Sequence, residues 1–518
     1  MGVAPDLSAD GATVEDAAPE VPRRSAVGIL PPMPVWVRTI LGLVIALGVG
    51  LLCALPLGLE RDQSIVAAVT ALCAAWWCTE ALPIPVTSLV PFVLFPLTGV
   101  LDHGQLASAY GDKFILLFMG GFMISRAAEK SRAHLRIADA VIRVVGTHSD
   151  KRIIIGFMLA SAFCSMWISN TATALILLPV ASAVIGKRRG HERFAVALLL
   201  AVAYGSSIGG ITTLVGTAPN GVFASQYAEV TGKTVDFVSW MRVGVPICLC
   251  MLVACAGVLC FRIRGGGGIE REDLGPWTAY QVRVVLVLVA TGLLWVTRTL
   301  PFGLGGWSVW LGMPKAHDAT VALLAVVCMF LIPSGRRTSD DQPTRLLDWQ
   351  TARDIPWGIL LLFAGGLAIA QAFRATELAD VIGRALTDVS GGMPTVVLML
   401  LICLVVTFTT EVTSNTATTT LLMPILGAAG LASGVDPALF MIPAAVSASC
   451  AFMLPVATPP NAIVFGGSPH ITIPRMASYG VVLNLIGAVV IALVCWAVVD
   501  PATGILATST TPLQGVAP

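Results

Sequence analysis

The chain has 518 residues, 56% of them hydrophobic and 12% charged, with a mean hydropathy of +0.85. Soluble domains carry about 25% charged residues, which excludes a water-soluble globular protein and predicts a polytopic membrane protein. A formal charge of +1 at pH 7 offers nothing to nucleic acid or to an acidic partner.

Residues 1–33 form a polar tail containing Pro and Ala that is expected to be disordered and cytoplasmic, because the apolar run after Arg23-Arg24 is long and lacks a clear cleavage site. Crossing a bilayer takes about 20 apolar residues. On that measure spans are predicted over 35–57, 65–82, 84–101, 113–128, 194–228, 241–262, 278–300, 317–333, 356–374, 437–467 and 477–499. Two further apolar stretches, 153–186 and 393–432, are too long for one crossing and are interrupted at their middles by polar residues. Each reads as a re-entrant helical hairpin with its polar centre at the tip. The spans 194–228 and 437–467 contain Gly216-Thr217-Ala218-Pro219 and Ala457-Thr458-Pro459-Pro460. Proline removes a donor and clashes with the preceding turn, so both helices should break in mid-membrane.

These elements divide the chain into a tail (1–33), a first scaffold part (34–150), a first transport part (151–262), a linker with a second scaffold part (263–390), a second transport part (391–500) and a final tail (501–518). Gly265-Gly266-Gly267-Gly268 reads as a flexible linker. Lys and Arg concentrate in the loops 130–152, 187–193, 262–271 and 336–353, which puts those loops and the amino terminus in the cytoplasm and the carboxyl terminus outside. On that count the two hairpins open to opposite sides.

Asparagine is scarce, with five in the whole chain. Asn170 lies in Ser169-Asn170-Thr171-Ala172-Thr173, and Asn415 lies in Ser414-Asn415-Thr416-Ala417-Thr418. Asn220 follows the first proline break 50 residues after Asn170, and Asn461 follows the second 46 residues after Asn415. Upstream, Phe118-Met119-Gly120-Gly121-Phe122 matches Phe363-Ala364-Gly365-Gly366-Leu367. A lone Ser-Asn-Thr in a loop carries no information, and small hydroxyl residues in membrane helices usually serve packing. Recurrence of both motifs, in order and in apolar surroundings, instead indicates two inverted repeats around a polar centre, the architecture of an alternating-access carrier.

The chemistry of that centre follows from its donors and acceptors. A helix starting after each Ser-Asn-Thr presents free N–H groups and a positive dipole end to an anion. Freed carbonyls, hydroxyls and Asn oxygens suit a hard cation such as sodium, and Asn serves both tasks. Residues 153–186 and 194–227 contain no Lys, Arg, Asp or Glu, and the second set holds only Glu411 beside its motif and Asp436 at a helix start. An anion bound without Arg or Lys needs another countercharge, and bound cations supply it. Glu411 is expected to make a structural hydrogen bond rather than to relay protons. The twelve cysteines lie mostly within apolar runs without CxxC or His/Cys spacing and read as small core residues. With no nucleophile–base pair and no metal constellation, an enzyme reading has no support.

The passages Phe163-Cys164-Ser165-Met166-Trp167-Ile168-Ser169-Asn170-Thr171-Ala172-Thr173 and Thr410-Glu411-Val412-Thr413-Ser414-Asn415-Thr416-Ala417-Thr418 resemble the two signatures of the divalent anion/sodium symporter family, and Ser206-Ser207-Ile208-Gly209-Gly210 through Asn220 resembles the stretch after the first. The resemblance runs from about residue 35 to residue 500. It implies eleven spans, two hairpins and a homodimer in which scaffold domains hold the interface while transport domains move like an elevator. By motif position it implies one sodium site at Ser165, Ser169, Asn170 and Gly216 and a second at Thr410, Thr413, Asn415 and Ala457. The substrate would lie between Ser169-Asn170-Thr171 and Ser414-Asn415-Thr416, with Thr217 and Thr458 nearby. Both triplets are intact, which favours a C4 dicarboxylate over sulfate. Ala174-Leu175 follows the first motif, where exchangers of the family tend to carry Arg, and this leans toward sodium symport. No cofactor is implied beyond sodium as coupling ion. The rival readings are a sodium-independent dicarboxylate or citrate antiporter, a sulfate or tricarboxylate carrier, and a channel or sensor on the same fold.

Overall fold

Prolines and left-handed residues punctuate a chain that is otherwise helical. A computed structural model describes residues 33–186, 191–263, 275–299, 305–337, 342–390 and 393–499. The expected tails before residue 33 and after residue 500, the Gly265–Gly268 linker and part of the basic loops lie outside the described residues.

Helix α1 (Val35–Ala54) precedes a series of eleven: α2 (Arg61–Thr79), α3 (Ile84–Thr87), α4 (Val90–Thr98), α5 (His103–Tyr110), α6 (Lys113–Ser131), α7 (Ala133–Val145), α8 (Asp150–Ser165), α9 (Asn170–Gly186), α10 (Glu192–Gly210), α11 (Ala218–Thr231) and α12 (Phe237–Cys260). The second series runs α13 (Ala279–Arg298), α14 (Trp307–Trp310), α15 (Asp318–Leu331), strands β1 (Pro333–Arg337) and β2 (Pro343–Arg345), α16 (Trp349–Arg353), α17 (Trp357–Ala375), α18 (Leu378–Ser390), α19 (Thr395–Thr409), α20 (Asn415–Ala432), α21 (Ala438–Ala448), α22 (Pro459–Gly466) and α23 (Ile473–Val499). From α5 to α12 the order of helices recurs in α16 to α23, while α14, the antiparallel β1–β2 pair and the split of α3 from α4 have no counterpart.

Among the described residues seven helical segments are long and apolar enough to cross a hydrocarbon core. The region expected as a single span over 84–101 is two helices, because Pro91 opens a new helix at Val90 and Gly99 closes it at φ 81°. Helices α5, α7, α14, α16 and α18 were not expected. Asp102 caps α5 by accepting from the Gln105 N–H at 2.8 Å while Gln105 accepts in return, and Asp348 caps α16 by accepting from the Thr351 N–H at 2.8 Å. Helices α7 and α18 follow α6 and α17 in the same way.

The breaks fall at the prolines. Helix α10 ends at Gly210 and α11 begins at Ala218 with Pro219 in its first turn; α21 ends at Ala448 and α22 begins on Pro459-Pro460. Helix α10 is the centre of the packing, with every residue from Phe194 to Gly210 buried among α8, α9, α12 and α22. Apolar burial gains little where lipid is the alternative, so close backbone approach decides such contacts. A Cβ on Gly205 would lie 2.6 Å from the Met158 carbonyl, and one on Gly209 would lie 2.2 Å from that of Ala162. This Gly-x-x-x-Gly face lets α10 lie directly on α8.

Candidate functional site

The first motif sits where α8 turns into α9. Helix α8 stops at Ser165 and α9 starts at Asn170. The Ser169 hydroxyl accepts from the Ala172 N–H at 3.2 Å and so caps α9. The Ser165 hydroxyl donates to Asn170 Oδ1. The facing break of α10 is braced by Asn220, whose Nδ2 donates to the carbonyls of Gly210 (3.0 Å) and Thr213 (2.7 Å). Trp240 Nε1 donates to the Ile211 carbonyl at 2.9 Å, and the Thr213 hydroxyl donates to the Met166 carbonyl at 2.6 Å. Gly210 and Gly216 are needed for this approach. A Cβ on Gly210 would stand 2.6 Å from Asn170 Oδ1, and one on Gly216 would stand 2.4 Å from the Gly210 carbonyl.

The second motif repeats the plan. Helix α19 stops at Thr409, α20 starts at Asn415, and the Ser414 hydroxyl caps it through the Ala417 N–H at 3.4 Å. Thr410 replaces Ser165, its hydroxyl reaching Asn415 Oδ1 at 2.6 Å and the Ala448 carbonyl at 3.2 Å. Asn461 Nδ2 donates to the carbonyls of Ala451 (3.1 Å) and Leu454 (3.0 Å), ten and seven residues earlier, the same offsets that Asn220 uses. Tyr204 donates to the Phe452 carbonyl at 2.8 Å, in the place that Trp240 fills in the first half.

Both tips and both breaks meet in one cavity of about 400 Å³. Of the residues singled out from sequence, Ser169, Asn170, Thr171, Gly216, Thr217, Thr413, Ser414, Asn415, Thr416, Ala457 and Thr458 line it. Ser165 and Thr410 lie just behind the wall, buried and bonded to the two asparagines. The Thr413 hydroxyl is engaged with the Thr409 carbonyl (2.9 Å) and the Thr418 hydroxyl (2.7 Å). No lysine or arginine is among the described residues lining the cavity, and Glu80 is its one charged side chain. Wall residues not expected from sequence are Trp77, Cys78, Phe122, Ser125 and Trp167; the Ser169 N–H donates to the Ser125 hydroxyl at 3.4 Å.

The oxygen inventory suits a hard, weakly polarising cation. Asn220 Oδ1, Asn461 Oδ1, Ser207 Oγ and Ser449 Oγ are buried acceptors with no hydrogen-bond partner. Among the described residues no three His, Cys, Asp or Glu side chains gather as a transition-metal cluster. A site built from hydroxyl, amide and backbone oxygens is the chemistry of sodium rather than of zinc.

Glu411 is buried and reaches backward, away from the cavity lining. Its carboxylate accepts from the N–H groups of Met453 (2.9 Å) and Leu454 (2.9 Å) and from Asn484 Nδ2 (2.7 Å). It thereby ties the tip of the second motif to the second break and to α23. Asn484, the fifth asparagine, carried no motif. Its isolation within the apolar run of α23 was the signal that could have marked it.

Residues 34–500 match the family described as the sodium:sulfate symporter transmembrane region. The chain is 39% identical over 480 residues to a sodium-dependent dicarboxylate transporter of Staphylococcus saprophyticus, covering 89% of this chain and 90% of that protein. It is 37% identical over 484 residues to the corresponding Staphylococcus aureus protein, with the same coverage. Among solved structures it is similar to the YdaH transporter of Alcanivorax borkumensis, at a TM-score of 0.55 and 15% identity over 83% of this chain and 98% of that one. It is also similar to MtrF of Neisseria gonorrhoeae, described as illuminating a class of antimetabolite efflux pumps, at 0.51 and 11% over 90% and 96%. These two likenesses bear on fold alone.

Proposed function

The chain belongs to the sodium:sulfate symporter family, and we propose that it is a sodium-coupled symporter importing a C4 dicarboxylate of the succinate, malate or fumarate class. As a member of a transporter family it is a multi-pass membrane protein and not an enzyme. The observation that carries the reading is the convergence of both Ser-Asn-Thr tips and both helix breaks on one cavity without lysine or arginine. A dianion in such a cavity requires bound cations as countercharge. Energetics point the same way. Moving a dianion inward against a negative-inside potential costs roughly 2.3 kcal/mol per charge per 100 mV, and co-transport of more sodium charges than the substrate carries reverses the sign. The Staphylococcus relatives are named for sodium and dicarboxylate alike.

In this reading Ser165, Ser169, Asn170 and Gly216 hold one sodium, and Thr410, Thr413, Asn415 and Ala457 hold the other. Ser169-Asn170-Thr171, Ser414-Asn415-Thr416, Thr217 and Thr458 contact the substrate carboxylates. The two series of helices are inverted repeats with eleven spans and two re-entrant hairpins, α8–α9 and α19–α20. Residues 151–262 and 391–500 form a transport unit that moves like an elevator within a frame built from 34–150 and 263–390, in a homodimer of the cell membrane with the amino terminus inside and the carboxyl terminus outside. The test is succinate uptake into proteoliposomes under inward gradients of sodium, of potassium, or of neither. Accumulation above equilibrium with sodium alone is expected. Uptake that ignores sodium but requires internal dicarboxylate would make the protein an exchanger.

A further inference from the structure

One ion pair between the two parts of the chain lies at the end of α17 remote from the cavity. Helix α17 lends Ile359, in its first turn, to the cavity, while Arg374 ends its last turn. Fifteen residues of helix separate them, about 22 Å. At the Arg374 end, two frame arginines grip the two ends of one connection in the transport unit, the segment between α11 and α12. Arg374 pairs with Glu229 at 2.8 Å and also donates to its backbone carbonyl. Arg298, at the end of α13, pairs with Asp236, the N-cap of α12, at 3.7 Å and with Asp318 of the frame at 2.5 Å. Thr299 donates to Asp236 at 2.7 Å, and the Phe237 N–H crosses to Asp318 at 2.9 Å. Lys113 and His317 face the same small recess. The Arg298, Asp236 and Asp318 side chains are no more than 12% exposed, so screening by salt is weak at that contact and stronger at the exposed Arg374.

Arg475, at the start of α23, pairs inside the unit with Glu192 of α10 at 2.5 Å. Arg298, by contrast, bridges the unit and the frame. A contiguous stack joins it to the cavity: Trp167 in the cavity wall lies on Phe237 (6.2 Å), Phe237 on Trp295 (4.6 Å), and Trp295 Nε1 donates to the Asp318 carbonyl at 3.0 Å.

We propose that Arg298 and Arg374 form a clasp that holds the transport unit in the state seen here and must release before the unit crosses. The proposal rests on the elevator reading given above. It predicts a preference between the two access states that is set outside the binding site, by pairs Glu229–Arg374 and Asp236–Arg298.

The test uses full-length protein in proteoliposomes carrying Val412→Cys as a reporter, since Val412 lies on the moving tip in the cavity wall and is 68% exposed. Modification of residue 412 by a membrane-impermeant maleimide is measured from each face in sodium-free medium, by mass spectrometry of the peptide. The clasp is weakened with Arg374→Gln and with Asp236→Asn, which retains a good N-cap. Lys130→Gln, which breaks a pair with Asp348 inside the frame, is the control. Each clasp variant should shift the ratio of labelling toward the opposite face by about two- to fivefold, the range expected of one ion pair, and the double variant by the product. Lys130→Gln should leave the ratio alone. An unchanged ratio in a folded Arg374→Gln protein, or an equal shift in Lys130→Gln, overturns the clasp. The labelling needs no transport, so loss of sodium-coupled uptake in the wild type would strike the functional reading while the clasp is judged separately.

Discussion

Replacing Glu411 with Gln probes how the second tip is fixed. The carboxylate accepts three hydrogen bonds, from Met453 N–H, Leu454 N–H and Asn484 Nδ2, and the residue is 3% exposed. Gln is nearly isosteric but turns one acceptor oxygen into a donor, which then faces a donor. One bond to a charged group is lost, about 1.5–3 kcal/mol, and a buried N–H is left unpaired, about 1–3 kcal/mol. The sum is roughly 2.5–6 kcal/mol, or a fall in Tm of about 2–6 °C for a chain of this size. Thr410, the neighbour of Glu411, touches Asn415 at 2.6 Å, so the half-saturating sodium concentration for uptake should rise as well. The assays are thermal unfolding of the purified protein and sodium titration of uptake at two pH values. A proton-carrying Glu411 gives the opposite pattern, with Tm unchanged and uptake losing its pH dependence in the Gln variant. That outcome would refute the bracing argument.

Other substitutions separate site from scaffold. Asn170→Ala and Asn415→Ala should each abolish uptake and leave folding and dimerisation intact, since each removes one side-chain hydrogen bond, about 1 kcal/mol; wild-type uptake by either variant contradicts the site assignment. Gly209→Ala drives a methyl to 2.2 Å from a backbone carbonyl of α8 and should prevent stable folding, read as loss of the monodisperse peak in size-exclusion chromatography. Gly210→Ala meets the Asn170 side chain at 2.6 Å instead, which can turn aside, so the protein should fold while its sodium affinity falls at least tenfold. Asn484→Ala removes one of the three donors to Glu411 and should lower stability by about 1.5–3 kcal/mol, measured by thermal unfolding against the Gln variant of Glu411.

Much of the site was legible because scarcity made it so. Five asparagines in a chain this apolar are conspicuous, and four of them mark the tips and breaks that line or brace the cavity. Proline marked where each broken helix restarts, since it suits a helix's first turn, although Pro179, Pro246, Pro424 and Pro443 lie inside continuous helices. The short helices α5 and α16 were missed although Asp102 with Gln105 and Asp348 with Thr351 are local capping signals; the polar residues around them read as loop. The pairing of Glu411 with Asn484, 73 residues apart, has no local signature, because neither residue's own helix demands it. The division of labour at Thr413, hydroxyl toward α19 and α20, likewise depends on rotamer and packing that spacing does not encode. The placing of Trp77 and Cys78 from the end of α2, and of Phe122 and Ser125 from α6, in the cavity wall is set by how distant helices dock.

The central claim is that cations supply the countercharge in a cavity lined by no lysine or arginine. Its most direct test is calorimetric titration of succinate into the purified protein, first in sodium chloride and then in choline chloride at equal ionic strength. Binding in sodium and none in choline is the predicted result, and equal affinity in both salts would contradict the account.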